Sequence, residues 1–455
     1  MKTRDLQDWD KEHLWHPFTP MQLWLDDEPL VIDRGEGVNL YDTDGNRYID
    51  GVSSLWCNIH GHCHPHINAA VCRQLDKIAH TTMLGLASES SAVLARKLVE
   101  VVPQGLTRVF YSDNGSTAVE IAIKMAFQYW RNLEIDGRDL FIAMKQSYHG
   151  DTIGSVSVGG ISIFHQIFGP LTFAAKFCDN PAPYRFAGTA DECREHCLVQ
   201  MEGLLEEQAG KVAAIVVEPL VQGAAGLIVH PNGFLRGVKD LADKYDTLLI
   251  VDEVATGFGR TGTMFACEQE EVHPDIFCIA KGLTGGYLPL AATLTSEKVF
   301  EAFLKEPWIY TTLYHGHTYT GNPLGCAAAI ASLEVFEREG TLEGLPDRIS
   351  LIDKYLEKIA ELDFVGDVRR CGMMVGIELV VDKAGKKGFD PTKRIGAKLC
   401  QLMRNKGVIL RPLGDVIVIM PPLAIPIVAL EELLGIVEQS IREDLSKIVN
   451  SKESL

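Results

Sequence analysis

The sequence predicts an α/β protein: a large domain built on a mostly parallel sheet sandwiched by helices, plus a smaller α+β domain. Three observations lead there. At 455 residues the chain is far too long for one small core. From Leu106 onward the strand-like runs "TRVFYS", "LFIAM", "VAAIVVEP", "TLLIVDEV", "DIFCIA" and "PLAATLTS" alternate with helical stretches. These runs are apolar almost without a break, as strands covered on both faces are.

In chain order, residues 1–70 show short apolar runs between turn signals such as "DTDGN", and read as small strands and loops that join the smaller domain. An ordinary helix over Asn68 to Ile78 leads into the large domain, residues 71–335. In "STAVEIAIKMAFQYW" the spacing puts Val119, Ile123, Ala126 and Phe127 on one face of a helix that opens near Thr117. A further helix runs from Pro323 to about Glu337. Residues 336–455 form the smaller domain, with "MMVGIELVV" as a strand and "TKRIGAKLCQLMRNKG" and "ALEELLGIVEQSIREDLSKI" as helices. No internal repeat, low-complexity segment or long linker interrupts the pattern.

Composition excludes several classes of partner. Lys and Arg total 43 against 61 Asp and Glu, and a net charge of -18 repels nucleic acid and anionic membranes. The longest uncharged apolar stretch, Val416 to Leu430, is broken by Pro421, Pro422 and Pro426 and is too short to span a bilayer. The opening "MKTRDLQDWDKEHLWH" has no apolar run after its charges, so the expectation is a cytoplasmic protein. Eleven cysteines without framework spacing suit a reducing compartment.

The chemistry is concentrated at strand ends. Lys281 stands where "DIFCIA" runs into the glycine-rich "KGLTGGYLPL". A strand-end lysine ordinarily carries its ammonium to solvent, but Asp252 ends the preceding strand, which puts both groups in one crevice. Such a pair suits pyridoxal phosphate: the amine condenses with its aldehyde, and the carboxylate holds its ring nitrogen protonated. In "FYSDNGSTAVE" the Gly115 and Ser116 amides, with the Ser116 hydroxyl, face outward at a helix start and suit the phosphate, although a simple N-cap uses the same residue types.

Four patterns point elsewhere. Asp252-Glu253 after a hydrophobic run resembles a Walker B strand, but there is no G-x-x-x-x-G-K-[ST] loop. Gly257, Gly259 and Gly262 satisfy G-x-G-x-x-G, the basis for a rival dinucleotide-dependent oxidoreductase, yet they lie beyond the strand tip with no clear helix after them. The run "HGHCHPH", His60 to His66, invites a metal but has no second ligand cluster, and no metal is expected. Cys193 and Cys197, four apart on a helix, read as half-exposed thiols.

Together "LLIVDEVATGFGRTG", "CIAKGLTGGYLPL", "QSYHGDTIG" and "GHTYTGNPLGCAAA" resemble the motifs of the class III, fold-type I, pyridoxal-phosphate-dependent aminotransferases, over nearly the whole chain. Within that family, "HLWHPFTPM", "DGVSSLWCNIHGH", "EPLVQGAAG" and "LRPLGDVIVIMPP" are similar to the biotin-pathway branch. Ornithine and 4-aminobutyrate relatives usually have an acidic residue where this chain has Ala224-Ala225. The resemblance implies Lys281 as the Schiff-base lysine, Asp252 as the pyridinium partner and Tyr148 packed against ring and substrate. It also implies Gly115 and Ser116 on the phosphate, with a second phosphate contact from Thr318 and the His317 backbone across a homodimer interface. Gly316, Phe18 and Trp56 would touch substrate, and Arg411 would grip a carboxylate.

The reaction implied is ping-pong transamination of 8-amino-7-oxononanoate to 7,8-diaminononanoate, with Lys281 as base and acid and its pKa lowered by burial. Branch members that use S-adenosylmethionine commonly have tyrosine in place of Phe18, tryptophan in place of Leu55 and tyrosine in place of Val418. Members that use L-lysine carry similar substitutions, so both donors stay open. The alternative is another class III enzyme acting on a different ω-amino acid.

Overall fold

The computed structural model describes residues 2–450. The large sheet has seven strands in the order Leu106–Ser112, Ala291–Ser296, Ile276–Ile279, Leu248–Asp252, Val212–Val217, Leu140–Met144, Ala175–Cys178. Ala291–Ser296 runs antiparallel to both its neighbours, and the strands from Ile276–Ile279 across to Ala175–Cys178 are mutually parallel. The apolar runs explain this: every residue of Val212–Val217 and Leu248–Asp252 is buried, so helices must cover both faces. The seventh strand, "AKFC", was not foreseen from the sequence; it is four residues long and only Cys178 in it is buried, so it has no continuous apolar signature.

The helix Gly115–Asn132 crosses this sheet, and Cys278 Sγ and Thr293 Oγ1 both donate to its Ala118 carbonyl. It opens two residues before Thr117, because Asn114 caps the Thr117 amide at 3.1 Å while Thr117 Oγ1 accepts from the Asn114 amide. Val119, Ile123 and Ala126 are buried as the spacing predicts, but Phe127 is 39% exposed. The buried side is wider than one stripe and takes in Ala118, Ile121, Ala122 and Met125, since the helix lies between the sheet and further chain.

The amino-terminal segment holds more helix than the sequence suggests: Thr3–His13 and Met21–Asp26 precede the strands Ile32–Glu36, Asn39–Asp42 and Arg47–Asp50. Neither helix buries a residue; the first has only two apolar residues, Leu6 and Trp9, the second is six residues long, and Thr3 bonds Thr43 and Asp44. The strand Arg47–Asp50 pairs in parallel with Val408–Ile409. Near the carboxyl end, Val365–Cys371, Met374–Leu379, Val416–Ile419 and Arg411–Leu413 form an antiparallel sheet, beside helices Leu345–Ala360, Ile395–Asn405 and Ile427–Glu443. Among the described residues no helix is long and apolar enough to cross a membrane.

Candidate active site

The register of the parallel strands builds the site. Asp252 sits opposite Cys278, and three residues beyond Cys278 the chain leaves its strand at Lys281. Both therefore emerge at the carboxyl end of adjoining strands, where open α/β sheets form their crevice. The cavity there, about 420 Å³, has Lys281, Asp252, Tyr148, Gly115, Ser116 and Trp56 on its wall.

Lys281 has φ of +45°, in the left-handed region. Its Nζ stands 5.0 Å from the centre of the Trp56 ring, and no hydrogen bond or ion pair among the described residues holds it. Burial lowers its pKa from the ordinary value, against the opposing pull of Asp252. Asp252 is nearly buried and doubly fixed: His149 Nδ1 donates to Oδ2 at 2.7 Å, and the Val254 amide donates to Oδ1 at 3.0 Å. Burial works to lower the His149 pKa, but the Asp252 hydrogen bond and charge leave it above the ordinary value.

The helix start meets the loop carrying Tyr148. The Asn114 cap satisfies Thr117, while the Gly115 and Ser116 amides have no partner among the described residues. Gly150, at φ +119°, packs so closely that an added Cβ would lie 2.1 Å from Ser116 Oγ, and a Cβ on Gly115 would lie 2.5 Å from Val254 Cγ1. The Asp151 amide donates to Ser116 Oγ at 3.1 Å. Tyr148 Oη donates to Asp151 Oδ2 at 2.7 Å, and its ring lies parallel to that of His165. Free amides at a helix start, a carboxylate braced for a ring nitrogen and an uncommitted amine fit the phosphate, pyridine nitrogen and aldehyde of pyridoxal phosphate.

The other expected site residues lie off this wall. Phe18 is 52% exposed and meets Phe164 edge-on at 5.3 Å, while Phe164 in turn meets Tyr148 at 6.2 Å. Gly316 and Thr318 are exposed; His317 Nδ1 lies 2.6 Å from Oδ2 of Asp113, itself on the wall. Arg411 is exposed on its strand opposite Val418, with no ion pair among the described residues.

Sequence reasoning missed His149 and Glu218. Glu218 follows the buried strand Val212–Val217, is 4% exposed, and accepts from the Tyr148 amide at 3.0 Å and the Gly223 amide at 2.9 Å. Burial raises its pKa to about 7. A glutamate directly after an uninterrupted apolar run was the available signal.

The patterns that pointed elsewhere resolve differently. The turn at Gly257–Gly262 runs into the short 3-10 segment Ala266–Glu270 rather than a helix, and buried Arg260 spends its guanidinium on the Pro421 and Asn58 carbonyls. His60, His62, His64 and His66 turn to four separate partners, Ser332, Asp50, Glu339 and Glu334. Cys193 and Cys197 are buried rather than half-exposed, each at 1%, because their side of the helix Ala190–Glu207 faces the core.

The pattern describing "Aminotransferase class-III" matches residues 23–441. A protein of Geobacter sulfurreducens named adenosylmethionine-8-amino-7-oxononanoate aminotransferase is 51% identical over 444 residues, 96% of this chain and 98% of its own. One of the same name from Aquifex aeolicus is 53% identical over 93% of this chain and 94% of its own. The crystal structure of the enzyme so named from Methanocaldococcus jannaschii superposes with a TM-score of 0.93 at 46% identity, covering 97% and 99% of the two chains. An (S)-enantioselective omega-transaminase from Thermomicrobium roseum gives a TM-score of 0.94 at 34% identity, covering 99% of each. Agreement of this extent, in sequence and in backbone alike, has one reading: the chain belongs to the class-III aminotransferases, enzymes that work with pyridoxal phosphate.

Proposed function

We propose that this aminotransferase converts 8-amino-7-oxononanoate to 7,8-diaminononanoate in biotin synthesis, with S-adenosylmethionine or L-lysine as donor. One observation carries the reading: relatives at 51–53% identity across nearly the full length share the name adenosylmethionine-8-amino-7-oxononanoate aminotransferase. Gly115, Ser116, Asp252 and Lys281 would hold the cofactor, which when bound supplies an electron sink for a carbanion at the donor carbon. Lys281, its ammonium disfavoured by burial, serves as an amine that takes a proton from the donor carbon and gives one back. His149 keeps Asp252 oriented, while Trp56 and Tyr148 wall the reacting end against water.

The remaining assignments are part of the same proposal. Thr318 and the His317 backbone serve the phosphate site of a second subunit, and Gly316, Phe18 and Arg411 the substrate. A homodimer is supported by the large apolar and aromatic side chains left exposed on the single chain, among them Trp15 (89%), Leu84 (84%), Ile163 (84%) and Tyr314 (71%). The division into 1–70, 71–335 and 336–455 is supported by the pairing of Arg47–Asp50 with Val408–Ile409, and a cytoplasmic enzyme by the eleven free thiols. Steady-state assays with 8-amino-7-oxononanoate and each donor test the reading. Turnover is expected with at least one, and its absence with both would overturn the assignment.

A further inference from the structure

Glu218 stands on the cavity wall without a part in the proton transfers described above. Its two oxygens accept from two separate segments, the Tyr148 amide and the Gly223 amide. The first segment carries the Tyr148 ring. The second carries Ala224, also on the wall, and brings Gly223 so near Trp56 that an added Cβ would lie 3.3 Å from ring atom Cζ3. Beyond Ala224 the same turn is fastened from outside, where Arg369 donates to the Gly226 and Leu227 carbonyls at 2.6–3.0 Å. With that far end fixed, Glu218 joins the turn to the loop of Tyr148.

An ordinary buried carboxylate satisfied by two amides is the plain alternative. Against it stands the cost of the charge, since burial outweighs both amides and moves the group up to about 7. The charged and titratable groups facing it are His149, Asp252, Lys281 and Tyr148. We propose that Glu218 is a positioning residue that sets the width of the substrate cavity by clasping the Tyr148 loop to the Gly223–Ala224 turn, and so governs substrate affinity more than proton transfer. As a carboxylate it accepts both amides. Once protonated, its O–H opposes one N–H and half the clasp opens.

The substrate side of this inference rests on the proposed function; the clasp does not. The test uses the holoenzyme and Glu218→Gln, which keeps the shape, loses one acceptor and does not titrate. Hydrogen exchange read on peptides spanning Tyr148 and Gly223 is expected to quicken roughly 10-fold, the equivalent of one lost hydrogen bond. KM for 8-amino-7-oxononanoate should rise about 10-fold with kcat changed less, and the cofactor absorption band should stay in place. Wild-type KM should rise as pH falls through about 7, and that limb should be missing from the variant. Unchanged exchange, or a fall in kcat at constant KM, would overturn the inference. Should the variant fail to fold, a wild-type KM that is flat from about pH 6 to 8 overturns it equally. Wild type inactive with both donors would defeat the substrate assignment and leave the exchange result to judge the clasp.

Discussion

Gly150→Ala isolates the contact between the Tyr148 loop and the helix start. The new Cβ would lie 2.1 Å from Ser116 Oγ, 2.5 Å from its Cβ and 2.6 Å from its Cα. Rotating the serine side chain relieves the first overlap but not the last, so the Ser116 backbone must retreat by roughly 1 Å to reach van der Waals distance. The backbone at φ +119° adds strain of roughly 1–3 kcal/mol for any residue with a Cβ. A displacement of that size removes the Ser116 amide from a phosphate anchored at Gly115. One hydrogen bond to a charged group contributes about 1.5–3 kcal/mol, or roughly 10–150-fold in cofactor Kd. Titration of apoprotein with pyridoxal phosphate, followed by absorbance, reads this directly. Gly137→Ala supplies the control, because Gly137 also has positive φ, at +84°, but nothing lies within 4 Å of its added Cβ. A Gly150 variant that folds and binds cofactor as tightly as the control would refute the phosphate cradle.

Lys281→Ala should lower kcat by at least roughly 10²–10⁴-fold, the usual worth of positioned proton transfer, with the fold intact by circular dichroism. Retained turnover would remove the amine from the chemistry. His230 is buried with both ring nitrogens unpaired and its pKa pushed down to about 3 by burial. The unfolded chain takes up its proton below about 6.5, so the stability His230 contributes is present above that pH and is lost towards 3. His230→Leu should therefore spare about 2 kcal/mol of the loss between pH 7 and 5, read as a flatter denaturation midpoint against pH. His60, with the same direction of shift, keeps some slope in the variant, but an unchanged slope would contradict the burial argument. Sedimentation of the wild type should give twice the mass of one chain; a monomer at micromolar concentration would leave Thr318 and His317 without a role.

The cavity shared by part of the candidate site was legible because it is written locally. Asp252 and Lys281 each end an unbroken apolar run, and adjoining parallel strands deliver such ends to one crevice. Gly115 and Ser116 were readable for the same reason, as a polar turn between a strand and a helix. His149 was not, since its partner lies 103 residues away; Glu218 does follow an unbroken apolar run, but no spacing announces its bond to the Tyr148 amide, 70 residues away. Weak signals failed in the fold too: "AKFC" is a partly buried edge strand without a continuous apolar run, and the helix Thr3–His13 has only Leu6 and Trp9 as apolar residues and buries nothing. Arg411, Thr318 and Gly316 rested on resemblance, and within one chain they touch no part of the cavity.

The left-handed backbone at Lys281 has a consequence for anyone seeking a sturdier protein. A side chain there costs roughly 1–2 kcal/mol that glycine would not, against roughly 0.4–1 kcal/mol for glycine's freer unfolded chain, so cofactor-free Lys281→Gly should melt no lower than the wild type while being inert. Selection for durability alone would not retain this lysine; only the demand for catalysis keeps it.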